Sequence, residues 1–188
     1  MQLGRLAYKS LLSRVALTGN RPNSPGHMSL KVGDLAPDFE LTARRDGQDV
    51  ALSLLGILAD KNLVLYFYPR DFTAVCTREA CGFRDSYAVL SSGDTEVVGV
   101  SVDDAPTHDR FAREHKIAFP LVSDPERKLA RRYGATSLVR DVMGVAARMT
   151  FVIGKNRKII GIFDSAVRAS QHVDGARDAI QRLRAERP

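Results

Sequence analysis

The chain has 188 residues, 44% hydrophobic and 27% charged, a composition ordinary for a soluble globular protein with one sizeable core. The formal net charge is +6, but four basic residues (Arg5, Lys9, Arg14, Arg21) and no acidic one precede Lys31; the remaining 24 basic residues face 22 acidic ones, a nearly neutral body that gives no support for a nucleic-acid surface. No apolar run approaches the roughly 20 residues of a membrane span, and two cysteines are too few for a disulfide scaffold or a structural zinc site.

Residues 1–30 read as an N-terminal extension, and the folded domain is expected over 31–188. In the extension Leu3, Ala7, Leu11 and Val15 recur every four residues with basic residues between them. This fits an organellar transit peptide. A disordered tail, a misassigned start codon or vector-derived sequence ahead of Met28 fits as well. The expected location is cytoplasmic, or organellar if residues 1–27 act as a signal. Arg-Pro-Asn-Ser-Pro-Gly (21–26) has linker composition.

A short strand is expected around Phe39–Leu41, a turn at Arg45–Gln48, and a short helix or irregular turn over Leu52–Leu58. Residues 63–68 (Leu-Val-Leu-Tyr-Phe-Tyr) are all apolar or aromatic and suit a strand buried on both faces. Pro69 cannot donate to a sheet ladder and should end it. Thr73 can cap a helix that begins near Ala74 and runs to about Leu90. Cys76 then lies in the first turn, where orphan amides and the positive end of the dipole point. A thiol in such a place ionises more readily, and the thiolate is the nucleophile. A reactive cysteine is therefore expected from the local pattern alone.

Ser91–Asp94 breaks the helix, and Glu96–Val102 is a second buried strand. Asp103–Thr107 opens a helix through about His115. Phe119–Val122 is extended, and Pro125–Tyr133 is a helix with Gly134 at its C-cap. Residues 135–146 are expected to be irregular. Arg148–Ile153 and Lys158–Phe163 form a hairpin, and the last helix spans about Gln171–Arg184. The alternation implies parallel strands with right-handed crossovers, completed by an antiparallel hairpin. The expected fold is α/β: a central mixed sheet flanked by helices in three layers. His27, His108, His115 and His172 are scattered and make no metal motif with either cysteine.

With these residues in view, the chain resembles a peroxiredoxin. Pro69-x-x-x-Thr73-x-x-Cys76 matches that family's active-site motif, and Tyr68–Asp85 with a second cysteine, Cys81, five residues on looks like the bacterioferritin-comigratory, or Q-type, branch. The likeness continues through Gly99–Asp103, Phe119–Pro125 and Arg148–Ile153, covering about residues 31–184. One departure stands beside the cysteine: Ala74-Val75 replaces the branch's usual Pro-Gly, so a stiff β-branched residue occupies a permissive position.

The resemblance implies a thioredoxin-like fold and a thiol peroxidase. Cys76 would attack hydrogen peroxide or an organic hydroperoxide and become a sulfenic acid. Arg148 would bring a guanidinium to the thiolate and peroxide. Thr73 would bond to both, Pro69 would shield the pocket, and the amides of Val75 and Cys76 would polarise the O–O bond. Tyr68 and Phe72 line the pocket or pack in the core, and Glu79 would orient donors at the helix end. Cys81 would resolve the sulfenic acid as an intramolecular disulfide, recycled by thioredoxin or a similar dithiol. The alternative for Cys81 is a core residue, with an external thiol resolving Cys76. On an ideal helix residues five apart lie about 140° and about 8.6 Å apart at Cα, beyond the roughly 7 Å a disulfide tolerates. Resolution by Cys81 thus requires the helix to unwind. No metal, haem, flavin, nucleic acid or membrane is implied, and relatives in this branch point to a monomer. The competing activities are a general thiol–disulfide oxidoreductase, which ordinarily uses Cys-x-x-Cys, and a non-catalytic holdase.

Overall fold

The strand Asn62–Phe67 is the axis of the structure, a computed structural model that describes residues 30–91, 94–136 and 138–186. Every residue of this strand is buried. Leu63, Leu65 and Phe67 enter one apolar cluster, and Val64, Tyr66 and then Tyr68 enter another, so alternate side chains face opposite layers.

In chain order the elements are β1 (Glu40–Arg45), β2 (Gln48–Ser53), α1 (Leu54–Leu58), β3 (Asn62–Phe67), α2 (Ala74–Ser91), β4 (Thr95–Ser101) and α3 (Ala105–His115). Then come β5 (Leu121–Ser123), α4 (Lys128–Arg132), α5 (Leu138–Val142), β6 (Met149–Ile153), β7 (Ile159–Asp164) and α6 (Ala169–Ala185). The seven strands form one mixed sheet in the order β2-β1-β5-β4-β3-β6-β7. β3 pairs parallel with β4, and β4 with β5, while β6 runs antiparallel to β3. Residues from α1 and α4 join the first cluster, and residues from α2, α3 and α6 join the second. The expected three-layer arrangement is what forms.

Several local expectations change. β2 had no counterpart in the sequence pattern. It is an edge strand whose residues are exposed or half-buried, and its register is set by the Asp46-Gly47 turn, which aligns Arg45 with Gln48. Residues 138–142, expected to be irregular, form the short helix α5. Helix α4 covers only the second half of 125–133. Gly134 takes a positive φ of 69° just past it, as a C-terminal glycine should. Residues 1–29 of the extension, with the stretch read as a signal, lie outside the described residues, whereas Leu30 packs against the first cluster. Among the described residues no helix is long and apolar enough to cross a membrane.

Candidate active site

The site is assembled where β3 hands over to α2. The Tyr68 amide still donates to the Val100 carbonyl at 3.0 Å, so the ladder continues one residue past β3. Pro69 then ends it, and α2 begins at Ala74. The Thr77 amide donates to the Thr73 carbonyl at 2.8 Å, leaving the amides of Ala74, Val75 and Cys76 ahead of the helical ladder. The Thr73 hydroxyl does not close a cap: it donates to the Arg70 carbonyl at 3.1 Å, which leaves its lone pairs able to accept.

Buried residues of α2 include Cys76, Glu79, Ala80 and Phe83, the spacing of one helix face. Cys76 is 1% exposed and packs in the second cluster. Arg148 reaches it from across the sheet. The register Phe67↔Met149 sets the start of β6 beside the end of β3, so a residue 72 positions later in the chain comes within reach of the first turn of α2. Its Nη2 lies 3.1 Å from Cys76 Sγ. Its Nη1 pairs with Glu79 Oε2, and its Nε donates to the Ala166 carbonyl at 3.3 Å. Three bonds, two to α2 and one to the β7–α6 connection, fix one planar fork, which a lysine could not reproduce.

Glu79 was expected only to orient helix-end donors; it is instead the buried counter-charge of Arg148. Burial pushes the Glu79 carboxyl up to about 7, against the opposing pull of Arg148. Burial works against the Arg148 charge too, but Glu79 and Cys76 outweigh it and hold the guanidinium above its ordinary value. Behind the pair stands His172 of α6, which sequence patterns did not single out. Its Nε2 faces the Ser165 carbonyl at 3.0 Å and therefore carries the proton; its Nδ1 faces the Thr150 hydroxyl at 2.9 Å and accepts from it. Burial holds His172 below its usual range and keeps it neutral. Glu79 Oε1 lies 3.5 Å from that Nδ1 and has no hydrogen-bond partner among the described residues.

Cys81 lies elsewhere. It is half-buried and lines a groove of about 660 Å³ between α2 and α6, with Arg78, Arg168 and Arg177 around it. Both thiols are free. Tyr68 is buried core, whereas Phe72 is 43% exposed and rests on Phe111. Pro69 is half-buried beside Tyr68. So Arg148 contacts both Cys76 and Glu79, Val75 lies in the first turn of α2 with Thr73 just ahead of it, and Cys81 lines a separate groove.

The AhpC/TSA family model matches residues 32–162. A wheat protein named peroxiredoxin Q, chloroplastic, is 36% identical over 152 residues, which is 80% of this chain and 67% of the wheat protein. The crystal structure of peroxidoxin BcpB from Mycobacterium tuberculosis superposes with a TM-score of 0.71 at 32% identity, covering 85% of this chain and 99% of that one. That of Enterococcus faecalis AhpC gives 0.71 at 29% identity, covering 85% and 96%. A cysteine at a helix start with a buried guanidinium against its sulfur, on a fold shared with these proteins, places the chain in the AhpC/TSA family, as a peroxiredoxin similar to the Q-type members.

Proposed function

We propose that Cys76 is the peroxidatic nucleophile of this thiol peroxidase. The observation that carries the assignment is the 3.1 Å contact from Arg148 Nη2 to Cys76 Sγ in the first turn of α2. The thiolate attacks the terminal peroxide oxygen and the O–O bond breaks. Sulfur loses two electrons and becomes the sulfenic acid, and the departing alkoxide or hydroxide takes a proton to leave as alcohol or water. Charge grows on the departing oxygen, so the Arg148 guanidinium and the amides of Val75 and Cys76, which lie ahead of the helical ladder, stabilise the transition state more than the ground state. Thr73 accepts from the peroxide hydrogen, and Pro69, lacking an N–H, keeps the wall dry.

Cys81 then attacks the sulfenic sulfur and releases water. A thioredoxin-type dithiol supplies two electrons to reduce the resulting disulfide. The intact α2 keeps the two thiols apart, so this step needs the helix open between residues 76 and 81. The protein acts as a monomer on this reading, which sedimentation would check. The chloroplastic designation of the plant relatives and the acid-free start of this chain support the organellar location over the cytoplasmic one; imaging of a C-terminal fluorescent fusion tests it.

The test of function is NADPH consumption coupled through thioredoxin and its reductase, with hydrogen peroxide as substrate. Wild type should consume NADPH and Cys76→Ser should not. Equal rates in the two would overturn the assignment, and disulfide reduction without peroxide would favour the oxidoreductase alternative. Cys81→Ser should leave a sulfenic acid on Cys76, detected by mass spectrometry of a dimedone adduct. A wild-type protein that keeps that adduct with Cys81 still free would assign resolution to an external thiol.

A further inference from the structure

A second buried histidine, His108 of α3, meets the loop that leads from β3 to α2. Asp71, between Pro69 and Thr73, has a side chain that is 0% exposed, and so has His108 of α3. Asp71 Oδ1 accepts from the Tyr68 hydroxyl at 2.7 Å, and Asp71 Oδ2 lies 2.8 Å from His108 Nδ1. Burial raises Tyr68 well above the phenol range, so its hydroxyl keeps the proton it donates. The carboxylate therefore requires a proton on His108 Nδ1. The Asp71 amide donates to Asp103 Oδ2 at 2.7 Å, and that same oxygen accepts from the Ser101 hydroxyl at 2.7 Å. His108 Nε2 is buried with no hydrogen-bond partner among the described residues.

The next residue is held by the same helix. Phe72 has φ of 59°, a left-handed conformation that a bulky side chain rarely adopts. Its ring packs edge-on against Phe111 at 5.2 Å, and the Arg110 guanidinium sits 5.7 Å from its centre. Such a conformation persists only where its surroundings over-determine it. Here α3 does so, gripping two consecutive residues immediately before the catalytic turn.

We propose that Asp71 and His108 are positioning residues for the peroxidatic site, clamping the loop to α3 so that Thr73 and the first amides of α2 stay aimed at the peroxide. The proposal rests on Cys76 acting as assigned above. The clamp holds residues 68–72 and leaves residues 73–81 free of it. It thereby marks Thr73 as the hinge about which α2 opens when Cys81 approaches Cys76. Loosening it has two opposite consequences. The reaction with peroxide slows, because the site is less often assembled. The oxidised site opens more readily, so more sulfenic acid becomes disulfide and less is carried on to sulfinic acid by a second peroxide.

The test compares His108→Phe, which removes the donor and fills the space, with His108→Asn, whose amide nitrogen can stand where Nδ1 stood. His108→Phe should lower the second-order rate constant with hydrogen peroxide by about tenfold or more, in the range that small misplacements of reacting groups produce. It should also lower the sulfinic fraction on Cys76 at excess peroxide. His108→Asn should restore both towards wild type. Amide exchange of residues 72–77, read by mass spectrometry without peroxide, should rise in His108→Phe and not in His108→Asn. If His108→Phe fails to fold, Asp71→Asn carries the same three readouts. Unchanged exchange and an unchanged sulfinic fraction in a folded variant would overturn the clamp. Loss of the Cys76 assignment would show instead as equal rates with peroxide in wild type and Cys76→Ser, and the exchange measurement judges the clamp without it.

Discussion

On the proposal that Cys81 resolves Cys76, Glu79 lies inside the segment that unwinds, and its burial makes the opening of α2 pH-dependent. In the closed helix burial raises its carboxyl from 4.5 to about 7. In the unwound segment it meets water and returns to the ordinary value. The closed state therefore binds the proton more tightly. Its stabilisation is complete below pH 4.5 and is lost as pH rises through about 7. Each pH unit in that window changes the opening equilibrium by about 1.4 kcal/mol, or about tenfold. Across the window this amounts to roughly 3 kcal/mol, a large share of the stability of a local segment. Glu79→Gln carries no proton to lose and should abolish the effect. The assay is the rate of Cys76–Cys81 disulfide formation after a peroxide pulse, quenched and resolved by mass spectrometry from pH 5 to 8. Any effect of pH on the attacking thiol is common to both proteins and cancels in their ratio. The ratio of wild type to Glu79→Gln should climb steeply between pH 5 and 7 and flatten above. A ratio independent of pH would refute both the burial argument and the need to expose Glu79 during resolution.

Arg148→Lys should slow the peroxide reaction by about tenfold or more, because an ammonium cannot hold Cys76, Glu79 and the Ala166 carbonyl at once; competition kinetics against a haem peroxidase would measure it, and a wild-type rate would remove the fork from the mechanism. Gly82→Ala sets a helix-propensity gain of about 1 kcal/mol against a Cβ placed 2.9 Å from Val173 Cγ2 at the α2–α6 contact. Overpacking of that kind costs about 1–3 kcal/mol, so the urea midpoint should fall; a rise would mean that α6 yields at Val173.

The chain of local cause around Cys76 was legible from sequence because each part of it is local. Six consecutive apolar residues specify a strand buried on both faces, Pro69 ends it, and the spacing to Cys76 sets the thiol in the first turn of α2. Arg148 required the resemblance, since nothing near residue 148 shows what it faces. The edge strand β2 escaped notice because only Val50 and Leu52 of its six residues pack against the core, and Leu52 was read into the Leu52–Leu58 segment that follows. A usable signal for His108 and His172, which were not singled out, and for the pairing of Glu79 did exist. Glu79, His108 and His172 each fall among the buried residues of an amphipathic helix, alongside Phe83, Phe111 and Val173. A titratable side chain on an apolar stripe must find a partner on another element.

Which partner it finds depends on tertiary structure alone. Arg148 meets Cys76 and Glu79 because β6 pairs with β3 in the register Phe67↔Met149. Asp71 meets His108 because the β4-to-α3 connection brings α3 alongside the catalytic loop, where Asp103 also receives the Asp71 amide. Sequence by itself determined the strand, its stop, the helix start and the thiol at that start, since backbone propensity and side-chain period act over a few residues. Sheet register and helix docking act over tens of residues, and they alone decided which charges surround that thiol and which helix holds its loop.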